Sequence, residues 1–443
     1  MNHDLTYSHP SRVLSSSYVI RKALIRKHYL SRCVHNYVTK NPGSILKTAV
    51  PRTWDLEISF ADELDELWHD GLWDLGEELE KADPAKWWIL KPGMADRGMG
   101  IRLFHSKEDL VQIFEGFEEN SDEEEEGGEE PGGRDTDTSV VTSQLRHFVI
   151  QEYLAKPVLF DPAEVPLGEK DISPPTGDLH GHKFHIRAYC VASGALSVFL
   201  YTRTLALFSA LPYTTPSKPP GDSEDAQVED IDLAPHLTNT SLQTERGEAG
   251  VRLLDELVGC HALGSPVIGL NGHSVPTTRQ SVRGRAMGQA IDVDQVRNQR
   301  QEVPSQNTSA EHVFTKKDLQ DIQNQMSEIV GETFKAALDM SVHFQPLPNA
   351  FELYGIDFLV TQSSNPTSFK RYQVQILEVN SEPAIELTGP RLTWVLEDLF
   401  KAMARNFVSP FLRPNEEQAW AVGEVRNNLR KCLEVEIRGA GGW

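Results

Sequence analysis

Asp357, Glu378 and Asn380 are the residues whose types and spacing speak most directly of chemistry. Asp357 lies in the run Phe351–Val360, and the other two end the run Tyr372–Asn380. Both runs read as strands, joined by a polar Ser-Ser-Asn-Pro-Thr stretch at 363–367. The second alternates with period two, which predicts Glu378 and Asn380 on the same side as Val374 and Ile376, where the strand runs out of the core. Such oxygen side chains suit a hard cation like Mg²⁺, which keeps company with phosphates. An edge hairpin with solvated carboxylates fits the same pattern.

Cations recur upstream. In Lys183-Phe-His185-Ile-Arg187, alternation puts Lys183, His185 and Arg187 on one face and Phe184 and Ile186 on the other. Two aligned cations require an anion or a wet face; a triphosphate and open solvent satisfy them equally. The loop Lys91–Ile101 follows a short apolar strand and carries Gly93, Arg97, Gly98 and Gly100. Its backbone N–H groups and the charges of Lys91 and Arg97 could receive phosphate oxygens. It matches no standard nucleotide fingerprint, and a plain turn accounts for it too. Val149–Leu154 reads as a strand entering a hinge, whose backbone could meet an adenine edge, or as an ordinary core strand. His180, His182 and His185 lack a spaced cysteine or acidic partner, so they read as loop and strand histidines rather than a transition-metal site.

The elements that must position these groups follow from periodicity. Residues 18–40, 60–81, 249–263 and 316–338 read as helices; strand signals cluster at 148–154, 184–191, 196–202, 351–360 and 372–380. Helices and strands ending in an antiparallel hairpin predict an α+β fold. Three stretches, 115–139, 214–232 and 264–312, are acidic or low in complexity and read as disordered inserts.

With 443 residues the chain can bury a large core. No apolar run is long enough to cross a bilayer, and the N-terminus has no signal-peptide core. Cys33, Cys190, Cys260 and Cys432 have no paired spacing, which fits a reducing compartment, so a cytoplasmic location is expected. The net charge of −22 opposes direct nucleic-acid binding. Residues 1–52 run the other way: Arg12, Arg21, Lys22, Arg26, Lys27, Arg32, Lys40, Lys47 and Arg52 stand against Asp4 alone. That stretch reads as a grip for an anionic tail or as a solvated basic helix.

Taken in order, Arg26-Lys27, Trp88–Lys91, Arg97-Gly98, Gln151–Leu154, Lys183–Arg187, His236-Leu-Thr238-Asn239, Gly355–Phe358 and Glu378–Asn380 resemble the tubulin–tyrosine ligase and ligase-like family. The resemblance covers nearly the whole chain outside the inserts. It implies an ATP-grasp fold, with nucleotide held between two α+β subdomains. The expected division is a basic helical segment 1–52, a central subdomain 53–178 and a C-terminal subdomain 179–443. By the same resemblance Lys27, Lys91 and Lys183 hold ATP phosphates under the Arg97-Gly98 loop. Gln151, Glu152, Tyr153 and Leu154 form the adenine hinge, with His185, Thr238 and Asn239 beside the nucleotide. Asp357, Glu378 and Asn380 bind Mg²⁺, and Arg187, assisted by Arg203, stabilises the reacting centre. The implied reaction joins an amino acid to a protein carboxylate, on a tubulin tail or another protein, through an acylphosphate.

Three departures accompany the resemblance. His185 replaces an acidic residue expected near ribose. Leu207 replaces a second arginine, unless Arg203 reaches that place. The small domain that precedes the Arg-Lys segment in the family is expected to be missing, which puts tubulin recognition in doubt. The competing expectation is therefore a catalytically weak nucleotide-binding scaffold of the kind that some fungal relatives provide in mRNA-decay bodies. A small-molecule carboxylate–amine ligase is a third reading.

Overall fold

Strand-forming stretches sort into two antiparallel sheets in the computed structural model, which describes residues 3–94, 99–126, 146–167, 176–217, 231–238, 249–264, 310–363, 370–385, 388–413 and 420–436. Four strands, β1 (Thr53–Glu57), β2 (Trp88–Pro92), β3 (Arg102–Phe104) and β4 (His147–Glu152), pair in the order β1-β4-β2-β3. Trp88, Leu90, Phe148 and Ile150 project from one face into a core with Leu110, Ile113, Phe114 and Phe117 of the helix Lys107–Glu126. Alternation then leaves Lys91 and Gln151 on the opposite face.

The second sheet has 11 strands: β5 (Leu159–Phe160), β6 (His182–Ser193), β7 (Ser197–Tyr201), β8 (Leu205–Phe208), β9 (Val251–Leu253), β10 (His261–Leu263), β11 (Ala310–Val313), β12 (Phe351–Gln362), β13 (Tyr372–Ser381), β14 (Val425–Arg426) and β15 (Leu429–Glu434). Strand β6 is its spine, pairing with β5, β7, β8 and β12. One face of β6 (Phe184, Ile186, Ala188, Cys190) shares a core with Met326, Val330 and Phe334 of the helix Lys316–Leu338. That helix starts at Thr315, whose hydroxyl accepts from the Asp318 N–H while the Asp318 carboxylate accepts from the Thr315 N–H. The other face of β6 is divided. Tyr189 and Val191 pack with Val395 and Leu399 of the helix Thr393–Met403, and Lys183, His185 and Arg187 occupy the rest. β5 belongs to this sheet, although it falls before the expected boundary at residue 178.

Several elements differ from the sequence reading, each for a local reason. The helix expected over 18–40 breaks at Arg26, whose extended backbone (φ −107°, ψ 118°) separates Lys22–Ile25 from Lys27–Lys40. The stretch 60–81 is likewise divided, into a short 3-10 turn and the helices Leu64–Leu67 and Trp73–Leu79. The helix expected over Ala249–Leu263 is not formed. Val251–Leu253 instead pairs with β8, a 3-10 turn follows over Leu254–Leu257, and Gly259 turns the chain at φ 103°. Leu253, Leu254 and Leu257 mimic a helical stripe, but strand pairing overrides that spacing. Within 115–139, helix continues to Glu126. Burial of apolar side chains worth about 1.5–3 kcal/mol each anchors its first turns, and glutamate propagates helix well. Residues 127–139, 218–230 and 265–309 of the three inserts lie outside the described residues.

The parity of the hairpin is also corrected. Asp357 pairs with Glu378 and Phe358 with Ile376, so Leu377 is the extra residue of a bulge. Tyr372, Val374, Ile376 and Val379 remain in the main core, and Glu378 and Asn380 therefore face away from Val374 and Ile376. They share the face of Asp357, opposite the core.

Candidate functional site

That face of the hairpin meets the charged half of β6. Arg187 lies opposite Asp357 in the β6–β12 register, and its guanidinium grips the carboxylate with two hydrogen bonds, Nε to Oδ1 and Nη2 to Oδ2, the latter 2.9 Å. Burial alone would lower the Arg187 pKa, but the Asp357 charge outweighs it and the net shift is upward. Asn380 Nδ2 donates to Asp357 Oδ2 (3.4 Å) and to Glu378 Oε1 (3.2 Å), so all three side chains converge. Lys27, at the start of the helix Lys27–Lys40, reaches Glu378 Oε2 at 3.1 Å. Burial pushes the Glu378 carboxyl up, yet Lys27 and Lys91 overcome that and hold it well below the usual carboxylate range.

The remaining cations come from both sheets. Lys91 Nζ donates to Gln151 Oε1 at 2.8 Å, and Gln151 in turn donates to the Thr53 hydroxyl at 3.1 Å. Lys183 Nζ donates to the Tyr153 hydroxyl at 3.1 Å and lies 4.3 Å from the centre of its ring. Among the described residues neither lysine forms a salt bridge. Burial lowers Lys91 to about 8, with Glu378 opposing the shift and Lys27 adding to it. Burial, reinforced by Lys91, lowers Lys183 to about 7. His185 is lowered by burial as well; its Nδ1 shares a 2.6 Å hydrogen bond with Thr238, and its Nε2 lies 3.6 Å from Asp357 Oδ1. The Nε2 atom is buried without a hydrogen-bond partner.

Space at the site is tight where Gly355 pairs across from Asn380. A Cβ at Gly355 would lie 2.8 Å from Pro383 Cβ and 3.3 Å from Arg187 Cδ. Gly355→Ala is therefore expected to cost about 1–3 kcal/mol in denaturant unfolding, because Pro383 or Arg187 must move.

Other residues singled out in the sequence are placed differently. Arg203 does not join Arg187: it pairs with Asp255 at 3.2 Å and lies over the Trp394 ring. Glu152 turns to Arg52 (3.0 Å) rather than into the cleft. Two N–H groups of the expected hinge are already used, Glu152 to the Arg52 carbonyl and Tyr153 to the Trp87 carbonyl, each at 2.9 Å. Leu154 is half-buried just beyond β4. His180 donates its N–H to Asp161, and the His182 ring is bonded to the Ser209 carbonyl. Arg97, Gly98 and Asn239 lie outside the described residues. The sequence reading missed the side-chain partners of the two lysines. Gln151 was legible by parity, since it shares the Lys91 face; the Tyr153–Lys183 contact joins the two sheets and leaves no local signal.

Two sheets that bring cations and carboxylates together define the class, and a solved relative shares it. The C-terminal domain of Kluyveromyces lactis Pby1, described as an ATP-grasp enzyme interacting with the mRNA decapping enzyme Dcp2, matches with a TM-score of 0.55 and 28% identity, over 99% of this chain and 86% of that one. The chain has the ATP-grasp fold. The family model for the tubulin-tyrosine ligase family matches residues 16–260 and 288–416, and the chain belongs to that family. It is 33% identical over 438 residues to the probable tubulin–tyrosine ligase PBY1 of Saccharomyces cerevisiae, covering 97% of this chain and 47% of the relative. The chain thus spans about half the length of that protein. A probable tubulin–tyrosine ligase of Schizosaccharomyces pombe is 34% identical over 427 residues, 94% of this chain and 83% of its own length.

Proposed function

We propose that this chain binds Mg²⁺ and ATP and joins an amino acid to a protein carboxylate. The observation that carries the reading is the pair of lysines, Lys183 buried and Lys91 half-buried, whose acceptors are a phenol and an amide instead of carboxylates. Ammonium groups so placed await an anion, and polyphosphate supplies one. Lys27, already against Glu378, adds a third cation at the same cleft. Two converging carboxylates offer oxygens of the kind Mg²⁺ takes, and Asn380, whose amide N–H now donates to both, would add its oxygen once the amide turned over, so that Asp357, Glu378 and Asn380 would be the holders. When bound, the metal would neutralise phosphate charge. Arg187 would stabilise negative charge developing on the transferred phosphoryl group and the acyl centre.

The family supports ligation, and its yeast relatives, probable tubulin–tyrosine ligases, point to tubulin as acceptor. We read the small-sheet unit that begins at residue 53 and the large-sheet unit, which takes in β5 ahead of the expected boundary at 178, as the two nucleotide-holding subdomains, and 1–52 as a basic segment packed through Tyr18, Leu24 and Leu30 on the large-sheet core. Among the described residues no helix is long and apolar enough to cross a membrane.

Leu207 favours a second reading, a nucleotide-binding module with weak catalysis that works beside an mRNA decapping enzyme, as K. lactis Pby1 interacts with Dcp2. Leu207 stands opposite His185 in the β6–β8 pairing and is buried with Val251 and Leu253 where the resemblance expects arginine. Incubation with ATP, Mg²⁺, labelled amino acids and acidic C-terminal peptides separates the two. Ligation predicts incorporation matched by ADP release; nucleotide binding without incorporation supports the module. In that event Leu207→Arg is expected to raise turnover roughly 10²–10³-fold, the value of one charge-stabilising donor.

A further inference from the structure

Lys183 is held from behind by a directed chain of hydrogen bonds. Its ammonium has only donors, so at 3.1 Å the Tyr153 oxygen accepts from it and the Tyr153 hydrogen must go elsewhere. It goes to His236 Nδ1, 3.0 Å away. That direction requires Nδ1 to be unprotonated, and burial, with the Lys183 charge added, lowers His236 to about 3. Lys183, Tyr153 and His236 are 7%, 6% and 4% exposed, so water cannot substitute for a lost partner. Tyr213 packs edge-on against the His236 ring and donates to the Ala155 carbonyl at 2.7 Å, fixing the imidazole in place.

His236 also belongs to a segment that touches both sheets. Residues 231–238 rest on the small-sheet core through Ile231 and Leu237. Two residues after His236, Thr238 bonds His185 of β6. One short strap thus reaches Lys183 through Tyr153 and Asp357 through His185.

Resting on the nucleotide reading above, we propose that His236 is a positioning residue for phosphate binding: acting through Tyr153, it sets the direction of the Lys183 ammonium, so that the 231–238 strap and the phosphate grip are aligned together. Without an acceptor at 236, the phenol must turn its hydrogen from the imidazole toward the Tyr213 hydroxyl, its other neighbour, or leave it unpaired. Either result disturbs Lys183.

Calorimetric titration of Mg–ATP and of adenosine tests this on the whole chain. His236→Leu and Tyr153→Phe are each expected to weaken ATP about 10-fold while leaving adenosine within about 2-fold, since only the phosphates meet Lys183. The double variant is expected to stay near the same 10-fold loss, because both changes cut one chain. His236→Asn, whose amide oxygen can accept from Tyr153, is expected to restore binding. Should His236→Leu fail to fold, Tyr153→Phe keeps the ring and its packing and carries the same expectation. The inference is overturned by variants that bind ATP as wild type does, by equal loss of ATP and adenosine, or by losses that add. A wild-type chain that ignores Mg–ATP is a different outcome: it overturns the nucleotide reading itself.

Discussion

Asp357→Asn is expected to be the most damaging single change at the site, costing about 3–5 kcal/mol of folding stability. The reason is geometric. Asp357 accepts two hydrogen bonds from Arg187, whose side chain is 12% exposed, and one from Asn380. Asparagine has the same shape but no charge, so a buried guanidinium loses its counter-ion. The same substitution removes an oxygen ligand from the proposed metal set. Mg–nucleotide affinity is therefore expected to fall at least about 100-fold, two powers of ten or nearly 3 kcal/mol. Denaturant unfolding and titration calorimetry measure the two effects separately. Glu378→Gln should lose the same binding at lower cost to the fold, because its partner Lys27 is 20% exposed and water can reach it. Equal stability of wild type and Asp357→Asn would mean that the Arg187 pair is not the buried contact described here.

Proton uptake is the second large effect. Lys183 and Lys91 are lowered to about 7 and about 8, so both are partly neutral at pH 8. A bound polyphosphate favours the charged forms and raises both values. Between the lowered and the raised pKa, the complex holds more protons than the separated partners, so binding takes protons up. Affinity is then greatest below about pH 7 and falls as pH rises toward 9, by up to about 10-fold per unit for each lysine that must be recharged. Calorimetry at pH 8 in two buffers of different ionisation enthalpy is expected to report about one proton absorbed. Lys183→Met should leave only the smaller share due to Lys91. Binding with no buffer dependence would show that neither lysine meets the phosphates.

Much of this site was legible because strand parity is a strong signal. Lys183, His185 and Arg187 alternate with Phe184 and Ile186, and the structure keeps them on opposite faces of β6. The helix Lys316–Leu338 appeared with its expected bounds because its apolar period and its Thr315 cap agree. The bulge at Leu377 was not legible. Tyr372–Asn380 alternates smoothly on paper, and only the β12 register shows that one residue is skipped. The three oxygen side chains still converge because Asp357 lies on the same face, so the site was anticipated with the wrong parity. Ala249–Leu263 misled for a related reason: its leucine spacing suits a helix until β8 offers a pairing edge. Contacts that join distant segments, such as Tyr153 to His236, belong to tertiary structure and had no local trace.

A single titration bears on the whole account: Mg²⁺ and ATP added to the wild-type chain and to Glu378→Gln. Saturable binding by the wild type that depends on Mg²⁺ and weakens at least about 100-fold in the variant is the predicted result, since one of the two carboxylates offered to the metal is gone. Indistinguishable affinities would contradict it, leaving the carboxylates of this hairpin as partners of Lys27 and Arg187 and nothing more.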